Sequence, residues 1–394
     1  MNNETTWVNP SAKRWQDLTW LVVANIGFRV LSGLTTIALI FFLPPEQYGQ
    51  YSFAVFWSWI LVLICTLGLP EYLVKVQDLQ LFRPAMVLTS LLAWVIGGVL
   101  LVVLNALVPW WLLIWFFFAA WVIGINDILL AALRTKNQFR RQAYLVTVNG
   151  LLLITFLPFL AWQESSLKLL GQCYLAIFFL LFLFHWQWDL KGSALNRLLP
   201  VIKATLPYGW VATGLMLTPV VIATLGHSLL TKELSGSFNL FTALFLAGTS
   251  VVIALDQGFF AKIVKGHSRY GTYGLVSMAF AVGLPLGLYF MGILLSPWVP
   301  SGYQVTPTWF LWLGLALGCR FISQWLIVGY RLEDALVRVG YIQLLTLSLS
   351  LLGILYWQPN SVAQLSFILI FAECSFAVSL AVFRTRSIPK VASI

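Results

Sequence analysis

Charge is what this chain has least of. Asp, Glu, Lys and Arg make up 9% of its 394 residues and 60% are hydrophobic, with a mean hydropathy of +0.89. A chain of this length folded in water would carry about 25% charged residues to cover its surface. A soluble fold is therefore excluded, and the composition is that of a polytopic membrane protein.

Histidine and cysteine are also scarce, at 3 and 4 residues. His185, His227 and His267 are widely separated, and Cys65, Cys173, Cys319 and Cys374 occur one by one inside apolar runs. Neither set has the spacing of a zinc site or a disulfide framework. No metal or cofactor is expected, and the cysteines read as small packing residues. The chain also lacks a glycine-rich phosphate loop, a nucleotide-binding motif and paired catalytic carboxylates. No catalytic residue is assigned, and neither an enzyme nor an ATP-driven pump is expected.

Long apolar runs are what the chain has in abundance. Taking about 20 residues as the length that crosses hydrocarbon, twelve candidate helices fall near 18–43, 50–74, 84–105, 110–133, 143–162, 167–188, 204–230, 236–260, 272–295, 307–330, 339–357 and 362–383. The first run is longer than a signal-peptide core and is read as an uncleaved span. Of 23 Lys and Arg, only Lys168 and Lys232 fall in the loops after odd-numbered runs, while Arg29 and Arg320 lie inside runs. Every other basic residue is at the termini or after an even-numbered run, which predicts both termini in the cytoplasm. That distribution also accounts for the net charge of +10, so no nucleic-acid partner is inferred. The opposite loops are short and proline-rich, at Pro44, Pro45, Pro109, Pro297 and Pro359. Trp110, Trp111, Trp162, Trp298 and Trp357 sit near predicted span ends, where aromatic belts form.

A duplication is faintly visible. Glu46-Gln-Tyr-Gly49-Gln-Tyr51 and Glu233-Leu-Ser-Gly236-Ser-Phe238 both read Glu-x-x-Gly-x-aromatic, 187 residues apart. Six helices separate the copies, so they share orientation and should be related by an axis along the membrane normal. The domains expected are an N-terminal bundle over 1–190, a cytoplasmic connection over 191–203 and a C-terminal bundle over 204–394.

Inside the runs, a few polar residues stand out. Asn25, Arg29, Ser32 and Thr36 step by four, three and four residues, one stripe of a helix. A guanidinium at bilayer depth costs about 2.5 to 3.5 kcal/mol on insertion scales and must face protein or water. Arg320, Ser323 and Gln324 form a second polar patch. Asp127, Asp256 and Glu373 are the embedded carboxylates. Two readings stay open: the arginines and acids neutralise one another, or Asn25, Arg29, Ser32, Arg320 and Gln324 bind an anionic substrate while Glu373, Asp127 and Asp256 couple to an ion or pair. A guanidinium fork suits phosphate.

The run Leu43-Pro-Pro-Glu-Gln-Tyr-Gly49-Gln-Tyr-Ser-Phe53, with Thr66-Leu-Gly68-Leu and Lys75, resembles the opening of polysaccharide (lipid-linked oligosaccharide) flippases of the multidrug/oligosaccharidyl-lipid/polysaccharide export superfamily. Leu133-Arg-Thr-Lys-Asn-Gln-Phe139 and Leu206-Pro-Tyr-Gly209 are similar to the same family. The resemblance implies two six-helix bundles around a central cavity and alternating access. It further implies that a polyprenyl-diphosphate-linked oligosaccharide moves from the inner to the outer leaflet of a bacterial cytoplasmic membrane. Implied partners are that substrate, membrane lipids, a polysaccharide polymerase and glycosyltransferases. Arg29 falls where such flippases often carry a cavity arginine. Thr218-Pro219 stands where many members have an acid, a departure that speaks against acid-based coupling there. A cation-coupled multidrug or metabolite exporter of the superfamily is the alternative, and a membrane enzyme of glycan assembly the second.

Overall fold

Hydrocarbon offers backbone N–H and C=O groups no partners, so each apolar run satisfies its own by forming a helix. A computed structural model describes residues 12–76, 78–136, 138–164, 166–185, 198–264, 270–333 and 335–385. His267 and the side chains of Arg29, Lys75 and His185 lie outside what is described. Among the described residues there are thirteen α-helices and no strand: α1 (Ala12–Leu39), α2 (Pro45–Thr66), α3 (Leu69–Val76), α4 (Phe82–Leu104), α5 (Trp110–Thr135), α6 (Phe139–Gln163), α7 (Leu167–His185), α8 (Leu198–Leu229), α9 (Lys232–Val264), α10 (Tyr270–Leu295), α11 (Pro307–Leu332), α12 (Leu336–Trp357) and α13 (Val362–Thr385). Eleven are long and apolar enough to cross a membrane. The twelfth long helix is α1, whose described apolar part is Val23–Leu39.

Local sequence sets the ends. Proline at the first helical position opens α2 at Pro45 and α11 at Pro307, where a missing N–H costs nothing. Thr306 caps α11 by accepting from the Trp309 N–H. The run expected to continue from 50 to 74 is broken instead: Leu67 and Gly68 take left-handed φ values of 49° and 71°, ending α2 and redirecting the chain into the short helix α3. Gly209 of α8 lies directly over that break, and a Cβ there would stand 2.5 Å from the Leu67 carbonyl carbon. The connection expected over 191–203 is also shorter than predicted, because α8 already begins at Leu198.

The helices sort into two bundles. In the first, α1 packs on α6, and α5 packs on α2, α4 and α7; in the second, α11 packs on α9, α10 and α13, and α12 on α8 and α13. The bundles meet where α1 and α2 face α8 and α9. The burial profile repeats between them. Buried residues fill 72% of α5 and 67% of α11 over membrane length, against 22% of α4 and 11% of α10. α5 and α11 thus lie deep in their bundles, as does α2 at 67%, and the helix before each of α5 and α11 faces outward. With α2 starting at Pro45 and α9 at Lys232, the helices themselves carry the 187-residue offset of the sequence repeat.

Lipid supplies no hydrophobic force between helices, so close packing falls to small residues. Gly314 and Gly318 form such a pair on α11. A Cβ at Gly314 would lie 2.5 Å from Cα of Pro285, and one at Gly318 would lie 2.8 Å from the carbonyl oxygen of Ala281. Gly98 on α4, by contrast, has open space around it. We expect Gly318→Leu to lower the melting temperature of the purified protein by several degrees, and Gly98→Ala to leave it unchanged or slightly higher. A thermal-unfolding scan of both variants checks this.

Candidate functional site

A small cavity of about 50 Å³ lies within the first bundle, between α1, α2, α6 and α7, and reaches Ala243 of α9 across the bundle interface. Its polar wall is built from hydroxyls: Ser32, Thr35 and Thr36 on α1, Tyr48, Tyr51 and Ser52 on α2, and Tyr174 on α7. The short ones bond backward along their own helices, Thr35 to the Leu31 carbonyl at 2.8 Å, Thr36 to Ser32 at 3.2 Å and Ser52 to Tyr48 at 2.7 Å. Each hydrogen is thus spent locally, and the oxygen lone pairs remain to accept from a guest. Phe116 braces two of the phenols, its ring meeting Tyr51 at 5.5 Å and Tyr174 at 5.1 Å between centroids. No charged side chain is among the described lining.

Of the polar stripe on α1, Ser32 and Thr36 face this cavity, while Asn25 is half-buried and outside its lining. Arg29 lies on α1, one turn before Ser32. The phenols were not singled out in the sequence. Their signal was the spacing 48, 51, 52, 55, 56, 59 on α2, one helical face that mixes Tyr and Ser with Val, Phe and Trp.

The second bundle holds Arg320, Glu373 and Asp256. Arg320 of α11 and Glu373 of α13 are 1% and 2% exposed and form an ion pair. Arg320 Nη2 also donates to the Leu215 carbonyl of α8 at 3.1 Å, and the guanidinium lies 5.3 Å from the Phe245 ring centre. Beside the pair is a smaller cavity of about 10 Å³, lined in part by Gly214, Thr218, Gln343 and Thr346. Gln324, one turn beyond Arg320, is fully buried. Among the described residues, Arg320 Nε and Nη1, Glu373 Oε2 and both amide atoms of Gln324 have no hydrogen-bond partner. Arg320 therefore sits inside the second bundle, joined to a carboxylate. Asp256 is fully buried and pairs at 3.0 Å with Arg331, a residue the sequence had assigned to a loop. Asp127 is half-buried on α5. One sequence expectation is corrected outright: Cys319 and Cys374 are not isolated, for their sulfurs lie 3.0 Å apart.

The bundles are closed against each other at the proline-rich end. Gly49 and Gly236, equivalent positions of the repeat, face one another, and a Cβ on Gly236 would fall 1.9 Å from the Pro45 carbonyl oxygen. Asn239 Nδ2 donates to the Gly49 carbonyl at 3.0 Å, and deeper along α2 Trp57 Nε1 donates to Thr224 Oγ1 at 3.0 Å. The Tyr303 hydroxyl donates to the Leu43 carbonyl at 2.8 Å. Burial holds that phenol above its ordinary pKa, so it remains a donor. Lys232 and Glu46 add an exposed ion pair at 2.7 Å.

Among the described residues, long helices packed in two bundles define the fold of a polytopic all-helical membrane protein. Two solved structures share it. One, a eukaryotic MATE transporter, AtDTX14, superposes with a TM-score of 0.60 at 11% identity over 95% of this chain and 96% of that one. The other, a MATE protein in a bent conformation, gives 0.53 at 12% identity over 95% of each chain. No protein-family model matches the sequence, and no curated protein matches it.

A buried pair broken on one side leaves an uncompensated charge, which costs about 3–5 kcal/mol. We expect Glu373→Ala to destabilise the protein by that order and the double variant Arg320→Met, Glu373→Leu to recover most of the loss. Denaturant titration of the three proteins in detergent distinguishes these outcomes.

Proposed function

We propose that this chain is a transporter of the multidrug/oligosaccharidyl-lipid/polysaccharide export superfamily that flips a polyprenyl-diphosphate-linked oligosaccharide across the bacterial cytoplasmic membrane. The observation that carries the reading is the cavity of hydroxyls and aromatic rings, uncharged in its described lining, which reaches the bundle interface. Sugar hydroxyls entering hydrocarbon lose hydration at several kcal/mol for each unsatisfied group. Tyr48, Tyr51, Tyr174 and Ser32 supply replacement partners, and Arg29 would take the diphosphate through its planar fork. The polyprenyl tail stays in lipid throughout.

With the termini cytoplasmic, as the basic residues predict, the seam at Gly49 and Gly236 closes the outer side. Opening it while the opposite end closes would present the cavity to the outer leaflet. An inside-negative potential favours outward passage of the diphosphate by about 2.3 kcal/mol per charge per 100 mV. A polymerase and glycosyltransferases would act on the product and supply the substrate.

Two observations favour a second reading, a cation-coupled exporter: the fold shared with MATE transporters and the buried carboxylate of Glu373. Reconstitution separates them. We expect proteoliposomes to move a fluorescent lipid-linked oligosaccharide between leaflets, with Arg29→Ala about tenfold slower or worse, as losing a charge-assisted bond of ~1.5–3 kcal/mol requires, and insertion unchanged. Cation-driven drug efflux with no movement of the glycolipid would replace the first reading with the second. Gly236→Leu should also leave the seam ajar, raising labelling of a cysteine placed at Ser52 by a membrane-impermeant reagent from outside.

A further inference from the structure

We propose that Cys319 and Cys374 form a redox site, a dithiol that a membrane-soluble quinone converts to a disulfide clamping α11 to α13. The two sulfurs are 3.0 Å apart, about 1 Å from the ~2.05 Å of a disulfide. Cys65 and Cys173 lie on other helices, α2 and α7. Both members of the pair lie twelve residues into their helices, Pro307–Leu332 and Val362–Thr385, or about 18 Å at 1.5 Å per residue. That depth is near the centre of the bilayer.

Access follows from the faces they occupy. Cys374 continues the exposed stripe of α13, Phe367, Phe371, Val378 and Val382, in helical steps of four, three, four and four. Cys319 continues that of α11, between exposed Leu315 and half-exposed Ile322. Both thiols are partly exposed, and the stripes they sit on are apolar. A reagent dissolved in lipid therefore reaches them more readily than one dissolved in water.

The chemistry balances without any further group. Two thiols surrender two protons and two electrons, a sulfur–sulfur bond forms, and the quinone takes both protons and both electrons to become a quinol. The product is a covalent rung next to the ionic one, since Arg320 and Glu373 are the neighbours of Cys319 and Cys374 in sequence. A 55-residue separation is closed, which restricts the unfolded chain and fixes α11 to α13. The site does not depend on the cargo.

The test uses the full-length protein in lipid nanodiscs. On exposure to a short-tailed benzoquinone, we expect Cys319 and Cys374 to become protected from maleimide and to be recovered as one linked peptide. With alkylation carried out after the quenched protein is unfolded, buried Cys65 and half-buried Cys173 should still react as free thiols; Tm of the folded protein should rise, and dithiothreitol should reverse every change. Ferricyanide, confined to water, should act at least tenfold more slowly, and neither Cys319→Ala nor Cys374→Ala should show the Tm shift. The proposal is overturned if all four thiols remain free under quinone, if Cys65 and Cys173 oxidise as fast, if ferricyanide is equally quick, or if the linked peptide forms without a change in Tm.

Discussion

Between the carbonyl of Pro45 and the α-carbon of Gly236 there is no space for a methyl group, and the architecture hangs on that clearance. Lipid does not push helices together as water does. Two bundles can therefore be held at a defined angle only where their backbones come close enough for dispersion and direct hydrogen bonds. The glycines permit the approach, and Asn239 then reaches the Gly49 carbonyl. Because Gly49 and Gly236 occupy matching positions of the internal repeat, the contact lies where an axis relating the halves must pass. Symmetry places the seam, and the missing side chains allow it to shut.

The two halves use their interiors differently. In the first bundle the polar wall of the cavity is made of hydroxyls, and the short ones bond backward along their own helices, which lowers the cost of burying them. In the second, a guanidinium and a carboxylate are sunk in a nearly closed core with only a small space beside them. Charge at that depth is tolerated because it is paired, and the pair ties α11 to α13 while a third bond reaches α8. An arginine so engaged is poorly placed to greet a phosphate. The neutral cavity and Arg29 carry the recognition in the proposed reading, and Arg320 holds the second bundle together.

Much of the architecture was legible before any coordinates. Run length gave the all-helical membrane fold, because backbone groups in hydrocarbon must be satisfied within their own helix, and eleven of the helices are long and apolar enough to cross. What escaped was decided by partners far apart in the chain. Nothing local foretold that α2 would break at Leu67, since the cause is a left-handed turn against which Gly209 of the other bundle packs. Periodicity put Arg320 and Glu373 on helical faces without saying that those faces meet. Cys319 and Cys374 looked solitary for the same reason: 55 residues of sequence separate two sulfurs in contact. The phenols of the cavity were hidden in an aromatic-rich sequence, where Tyr at a helical spacing reads first as packing.

The contacts that hold the molecule differ in kind. Within the second bundle, α10 and α11 interlock through Gly314 and Gly318 against backbone atoms of Pro285 and Ala281, and the buried ion pair costs about 3–5 kcal/mol to break on one side. Across the seam the direct bonds are few, each worth about 1 kcal/mol net. The ion pair of Lys232 and Glu46 has side chains 74% and 44% exposed, so solvent screening leaves it at about 0–1 kcal/mol. Most of the interface is apolar packing: Tyr48, Phe53 and Ile60 of α2 belong to the same buried cluster as Val220 of α8 and Phe238 and Phe241 of α9. The bundles therefore share one core, and close packing rather than charge holds them together.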